Sequence, residues 1–151
     1  MSNRLAAALR IIPGERVAPP GKVLLSAEIV VTYVRVRWWL RRRPLDEVVA
    51  WTRSCRTIRP ANVEPGTYEA RLVGARLANA VRRTLRVLPT DGRCLMQTLV
   101  LSRLLSVRDM SSTVVIGADS APDFEAHAWL EHAGRPLQPP QRFAESRLLE
   151  I

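Results

Sequence analysis

The chain has 151 residues, 47% hydrophobic and 25% charged, the size and balance of one globular domain rather than a disordered polypeptide. Two cysteines, Cys55 and Cys94, are too few for a disulfide scaffold, and with only His127 and His132 there is no Cys/His cluster of zinc-site spacing. The net charge of +9 comes almost wholly from arginine, since Lys22 is the single lysine among 23 basic residues.

Guanidinium groups suit phosphate, acidic peptide or an acidic protein face, although an arginine-favouring GC-rich gene would leave the same mark. MSNRLAAALRIIPGER starts basic and turns apolar, but Arg10 and Pro13 cut the apolar stretch too short for a signal peptide. No later stretch has the length and freedom from charge of a membrane span, so a cytoplasmic protein with reduced thiols is expected.

Residues 13–22, PGERVAPPGK, read as an opening loop. From Val23 to about Arg43 a long apolar stretch is interrupted by Glu28, Thr32, Arg35 and Arg37. Its β-branched content would allow a strand, but its length favours a helix. It ends in VRVRWWLRRRP, where Trp38 and Trp39 adjoin Arg41, Arg42 and Arg43. Aromatics interleaved with cations suit a nucleic-acid or membrane surface. The plainer expectation is a core helix whose basic end complements its dipole and which Pro44 stops.

PLDEVVAWTRSCR (44–56) has Pro in the first turn and acids just inside, a helix opening. After the loop RPANVEPG (59–66), Thr67 is placed to cap a helix from Tyr68 to about Val87, with Val73, Leu77, Ala80, Val81 and Leu85 along one face. LPTDGR (88–93) breaks it, and Cys94 to about Ser106, apolar nearly all round, is expected to be a buried central helix.

SSTVVIGA (111–118) is a β-branched run, AHAWLEH (126–132) alternates with period two, and AGRP turns into a short third strand near Leu137. QPPQRF (138–143) is irregular. The predicted class is α+β: a helical N-terminal half, then a buried cysteine-bearing helix packed on a small antiparallel β-sheet. Residues 1–63 are expected to form a helical, partner-docking region and residues 64–151 the core, within a single compact domain.

Cys94 opens its helix after TDG, where free backbone amides and a cation such as Arg93 favour the thiolate, the reactive form. A free cysteine is equally at home in a core. His127 stands on a strand that a helix-on-sheet fold can bring across that helix N-terminus, and Cys–His is a recurring acyl-transfer pair. Alternation puts His127, Trp129 and Glu131 on one face and Ala128 and Leu130 on the other. His132 falls with the latter pair beside a turn, where exposure is expected.

GRCLMQTLVLSRLL, TVVIGA and AHAWLEHAGRPL, in that order, resemble the core of the lasso-peptide leader peptidases, bacterial maturation proteins of the transglutaminase-like, papain-related superfamily. The resemblance covers residues 64–140, and AHAW followed by an acidic residue and GRP is its most specific element. The short chain resembles the discrete form of these proteins, without a fused leader-recognition domain. The resemblance implies a transglutaminase-like core and thiol-protease cleavage between leader and core of a ribosomally synthesised precursor, with Cys94 as nucleophile and His127 as base. It implies three partners: the precursor peptide, a discrete leader-binding recognition protein that delivers it, and an ATP-dependent lasso cyclase that then closes the ring. No cofactor, metal or nucleic acid is expected.

The sequence departs from that family a dozen residues after the histidine, where members carry Asp or Glu and this chain has Pro139. Gln138 beside it can orient the imidazole through its carbonyl oxygen, and Glu131 and Glu145 are further candidates. The Cys94 backbone N–H is one expected oxyanion donor. LPTDGR offers no upstream Gln or Trp as a second, and Gln97, one turn into the helix, is either that donor or a polar residue beside the site. Two other classes fit the sequence. One is a catalytically weak scaffold of the same fold that binds the precursor or its partners, favoured by the missing acid. The other is an arginine-rich nucleic-acid-binding domain, which lacks a recognised binding motif.

Overall fold

The computed structural model of the chain describes residues 19–54, 66–88, 93–119, 125–137 and 147–150. Helices α1 (Pro19–Leu40), α2 (Leu45–Arg53), α3 (Tyr68–Leu85) and α4 (Arg93–Val107) precede strands β1 (Thr113–Asp119), β2 (Glu125–His132), β3 (Arg135–Pro136) and β4 (Arg147–Glu150). The strands pair antiparallel in the order β3-β2-β1-β4. This is the expected α+β arrangement.

Helix α1 begins inside the expected loop, with Pro19 and Pro20 in its first turn. First-turn amides have no acceptor within the helix, so a ring nitrogen without a proton loses nothing there. The helix stops at Leu40, short of the arginine run, and the Arg42 and Arg43 N–H groups both donate to Trp39 O (2.9 and 2.8 Å). The expected basic last turn is therefore reduced to Arg37. Pro44 lies just outside α2 as its N-cap (φ −65°, ψ 158°) rather than within the first turn, and Asp46 and Glu47 follow inside.

The corner between α1 and α2 uses the tryptophans. Trp39 stacks on Trp51 (ring centroids 5.5 Å apart, 18°), and the Arg103 guanidinium from α4 covers Trp51 at 4.6 Å. Arg43 lies over Trp39 and pairs with Glu47 at 3.2 Å. Trp38 points outward with Arg42 4.1 Å from its ring centroid.

Helix α3 opens as expected, the Ala70 N–H donating to Thr67 Oγ1 at 3.2 Å, and buries Val73, Leu77, Val81 and Leu85. It passes close to the sheet at Gly74, where a Cβ would stand 2.7 Å from Leu137 Cδ2. Helix α4 is the axis of the core. Thr98, Leu99, Val100, Leu101, Ser102, Leu104 and Leu105 are all buried, and α1, α2, α3 and β2 pack around it.

Its buried hydroxyls are partnered rather than stranded, as buried polar groups must be. Thr52 donates to Val49 O (2.8 Å), which leaves it to accept from Ser102 (3.3 Å), and Ser102 in turn accepts from Ser112 (3.4 Å). At the far end of α4, Arg108 donates twice to the Glu28 carboxylate (2.8 and 3.1 Å), binding the helix to α1.

Strands β2 and β3 are joined by Ala133 (φ 50°) and Gly134 (φ 71°), a left-handed pair whose twist matches the strands it connects. The third strand is Arg135–Pro136, just ahead of its expected place at Leu137. Strand β4 was not expected: RLLE is too short to show a period, and it is recruited by pairing with β1 (Ile116 opposite Leu149).

Candidate active site

Strand β2 has two unlike faces. Leu130 joins the main core with Val114 and the residues of α4, whereas Trp129 and Val115 form a separate cluster on the other side. His127 belongs by alternation to the Trp129 face, opposite Gly117 of β1. Its ring lies nearly parallel to the Trp129 indole (centroids 6.1 Å apart, 19°). The imidazole is half-buried, and that burial lowers its pKa below the usual 6.5. The neutral form, which is the form able to take a proton, is thereby favoured.

Glu131 and His132, on the same strand as His127, have hydrogen-bond partners of their own. Glu131 is buried and its Oε1 accepts from Trp129 Nε1–H at 3.0 Å, so its carboxylate is held by the indole that separates it from His127 along the row. His132 is not exposed. It lies on the core-facing side with only 1% of its surface accessible, and Nδ1 is 2.6 Å from Ser111 O. A carbonyl only accepts, so Nδ1 carries the proton there and Nε2 is left buried without a partner among the described residues. Adjacency to a turn did not decide exposure; the face did. Gln138, Pro139 and Glu145 lie outside the described residues, as does Cys55.

Cys94 is the second residue of α4, a free and half-buried thiol. Its N–H belongs to the first-turn amides that no carbonyl of the helix can reach, the arrangement that receives a developing oxyanion. Gln97 sits one turn on and is half-buried, as Cys94 and Leu95 are, beside the buried Met96 and Thr98.

The residue that joins the two elements is Thr98, which no motif in the sequence singles out. Thr98 is fully buried, and its Oγ1 lies 2.8 Å from Cys94 O and 3.0 Å from Ala128 O. The carbonyl oxygens of Cys94 and of the residue after His127 are therefore no farther apart than those two hydrogen bonds laid end to end. The available signal was a hydroxyl one turn after the cysteine in a mostly apolar helix, since such a group must find a partner once buried.

Among the described residues no group of three or more His, Cys, Asp or Glu is placed to hold a metal ion, and no helix is long and apolar enough to cross a membrane. Compared with known proteins, residues 29–146 match the family model of the transglutaminase-like superfamily. No curated protein and no solved structure matches.

Proposed function

Since the chain belongs to the transglutaminase-like superfamily, which includes cysteine peptidases, we propose that it is a cysteine endopeptidase that removes the leader from a lasso-peptide precursor. The observation that carries this reading is the hydroxyl of Thr98 shared between the Cys94 carbonyl and the strand of His127. A thiol at a helix start and a neutral imidazole on the neighbouring strand are what acyl transfer needs.

In this reading His127 takes the Cys94 proton and Sγ attacks the carbonyl carbon at the leader–core junction. The oxyanion accepts from the Cys94 N–H, with Gln97 as second donor. When the C–N bond breaks, the imidazolium protonates the leaving nitrogen, and the core departs with a free amino terminus. Water, deprotonated by His127, then hydrolyses the thioester and releases the leader as an acid. Gln138 completes the reading as the group that orients the imidazole. The freed amino terminus is the nucleophile that an ATP-dependent cyclase requires.

Delivery by a leader-binding protein belongs to the same proposal. Val23, Val31, Val34 and Trp38 are 70, 52, 57 and 50% exposed, and they recur on one side of α1. Lys22, Arg35, Arg41 and Arg42 stand exposed around that stripe. An apolar strip edged with cations suits a partner whose apolar contact surface is edged with acids.

The test combines purified protein, precursor and leader-binding partner, and reads leader and core as two masses. Cys94→Ala and His127→Ala, each shown to be folded, should lose cleavage by on the order of 10³-fold or more. Arg41→Glu with Arg42→Glu should slow only the partner-dependent rate. Undiminished cleavage by Cys94→Ala rejects the peptidase; precursor binding without any cleavage by the natural chain favours a scaffold instead.

A further inference from the structure

Beyond its place in the core, we propose that Thr98 is a positioning residue that fixes the register of α4 against β2, and through it the placement of Cys94 relative to His127. This rests on the peptidase reading for its meaning, though not for its geometry.

Strand β2 directs its backbone groups alternately to either side. The Leu130 carbonyl accepts from the Leu137 N–H beyond β3 (2.9 Å), so the carbonyls of 130 and 128 both point towards the β3 side. Strand β3 contributes only Arg135 and Pro136 and pairs with Glu131 and His132. Two residues further back, at Ala128, the acceptor is met by α4 instead: Thr98 Oγ1 lies 3.0 Å away. The first turns of the cysteine helix thus take a place alongside the strand that carries His127.

The same oxygen is 2.8 Å from Cys94 O, the carbonyl to which the Thr98 N–H is directed in a regular helix. A hydroxyl has one proton, and Cys94 O already has a donor in the helix ladder, so the proton is of most use at Ala128 O. An O–H···O hydrogen bond tolerates only a few tenths of an ångström, whereas aliphatic packing between a helix and a sheet allows small slides. Thr98 therefore acts as a pin where Leu99 and Leu101 act only as filler. Threonine suits the task because its branched Cβ restricts χ1 while the methyl packs in the core.

The experiment uses the full chain and reads two quantities. The first is cleavage kinetics. Thr98→Val keeps the shape and removes the hydroxyl, and kcat is expected to fall about tenfold or more with KM within about twofold, while Thr98→Ser keeps kcat. The second needs no precursor: the rate at which iodoacetamide alkylates Cys94, followed on the Cys94-bearing peptide. His127→Ala should slow that rate in the natural background and leave it unchanged in the Thr98→Val background, with Thr98→Ser restoring the dependence.

Equal kcat for Thr98→Val, or additive effects of Thr98→Val and His127→Ala on alkylation, overturns the proposal and leaves Thr98 a packing residue. If the valine variant does not fold, Thr98→Ala carries the same pair of measurements. A natural chain that cleaves nothing sinks the peptidase reading but leaves the alkylation cycle decisive for Thr98.

Discussion

His127 and His132 sit on one strand and face opposite ways, and the two faces of β2 treat an imidazole differently. On the side that Leu130 turns to the main core, His132 is sealed at 1% exposure with Nδ1 fixed on the Ser111 carbonyl, so the ring is a strut between the end of β2 and the residues that lead into β1. On the other side, His127 is half-buried beside Trp129, accessible yet partly desolvated. Partial solvent access and a lowered pKa belong to one face; a ring fixed by the backbone belongs to the other. The comparison teaches that residue type carries little of the functional assignment and the facing element carries most of it.

The sharpest way to break that contrast is to remove His132. His132→Ala takes a buried ring and its hydrogen bond out of the core and should cost about 2–4 kcal/mol, read as a lower urea midpoint with unchanged slope. The folded fraction should keep its rate of Cys94 alkylation. A stable variant with a silenced thiol would reverse the roles of the two faces.

A smaller effect tests the row itself. Trp129→Phe removes the indole N–H that Glu131 Oε1 accepts at 3.0 Å and leaves a buried carboxylate short of a donor. About 1–3 kcal/mol of stability should be lost, and Glu131→Gln in the same chain should return part of it. If Trp129→Phe is neutral, the indole only fills space.

The smallest effect is on protonation. Burial lowers the His127 pKa in the folded protein, so between that value and 6.5 the unfolded chain binds more protons than the native one. Stability should therefore rise with pH through that window and fall as pH drops from 6.5 towards the folded value. The His127 ring resonances should titrate below 6.5, and His127→Ala should flatten the stability profile there. A midpoint above 6.5 would mean that a carboxylate, not burial, governs the ring.

Most of the helical architecture was legible because its signals are periodic and long. Thr67 with the Val73, Leu77, Val81 and Leu85 face marked α3, and the nearly uniform apolar run after Cys94 marked a central helix. Boundaries were less legible, because Pro19 and Pro20 read as loop although a first turn accepts them. Strand β4 was invisible, since its four residues become a strand only by pairing with β1. At the site, the face of His127 followed from alternation, but the burial of His132 depended on Ser111, twenty-one positions earlier in the chain. Thr98 was missed for the same reason: its meaning is a carbonyl thirty residues away.

That Cys94 shares a helix with the middle of the core has a dynamic consequence. Protein segments open to solvent in cooperative units, and a unit surrounded by packed neighbours opens only when they do. Helix α4 packs against three helices and β2, with Thr98 hydrogen-bonded to β2 and Ser102 to α2. Its backbone amides from Leu99 to Leu105 should exchange with solvent only when the whole domain opens, so the thiol is carried by the slowest-exchanging segment of the molecule. Heating will then lose the site and the fold together, with no window in which one survives the other.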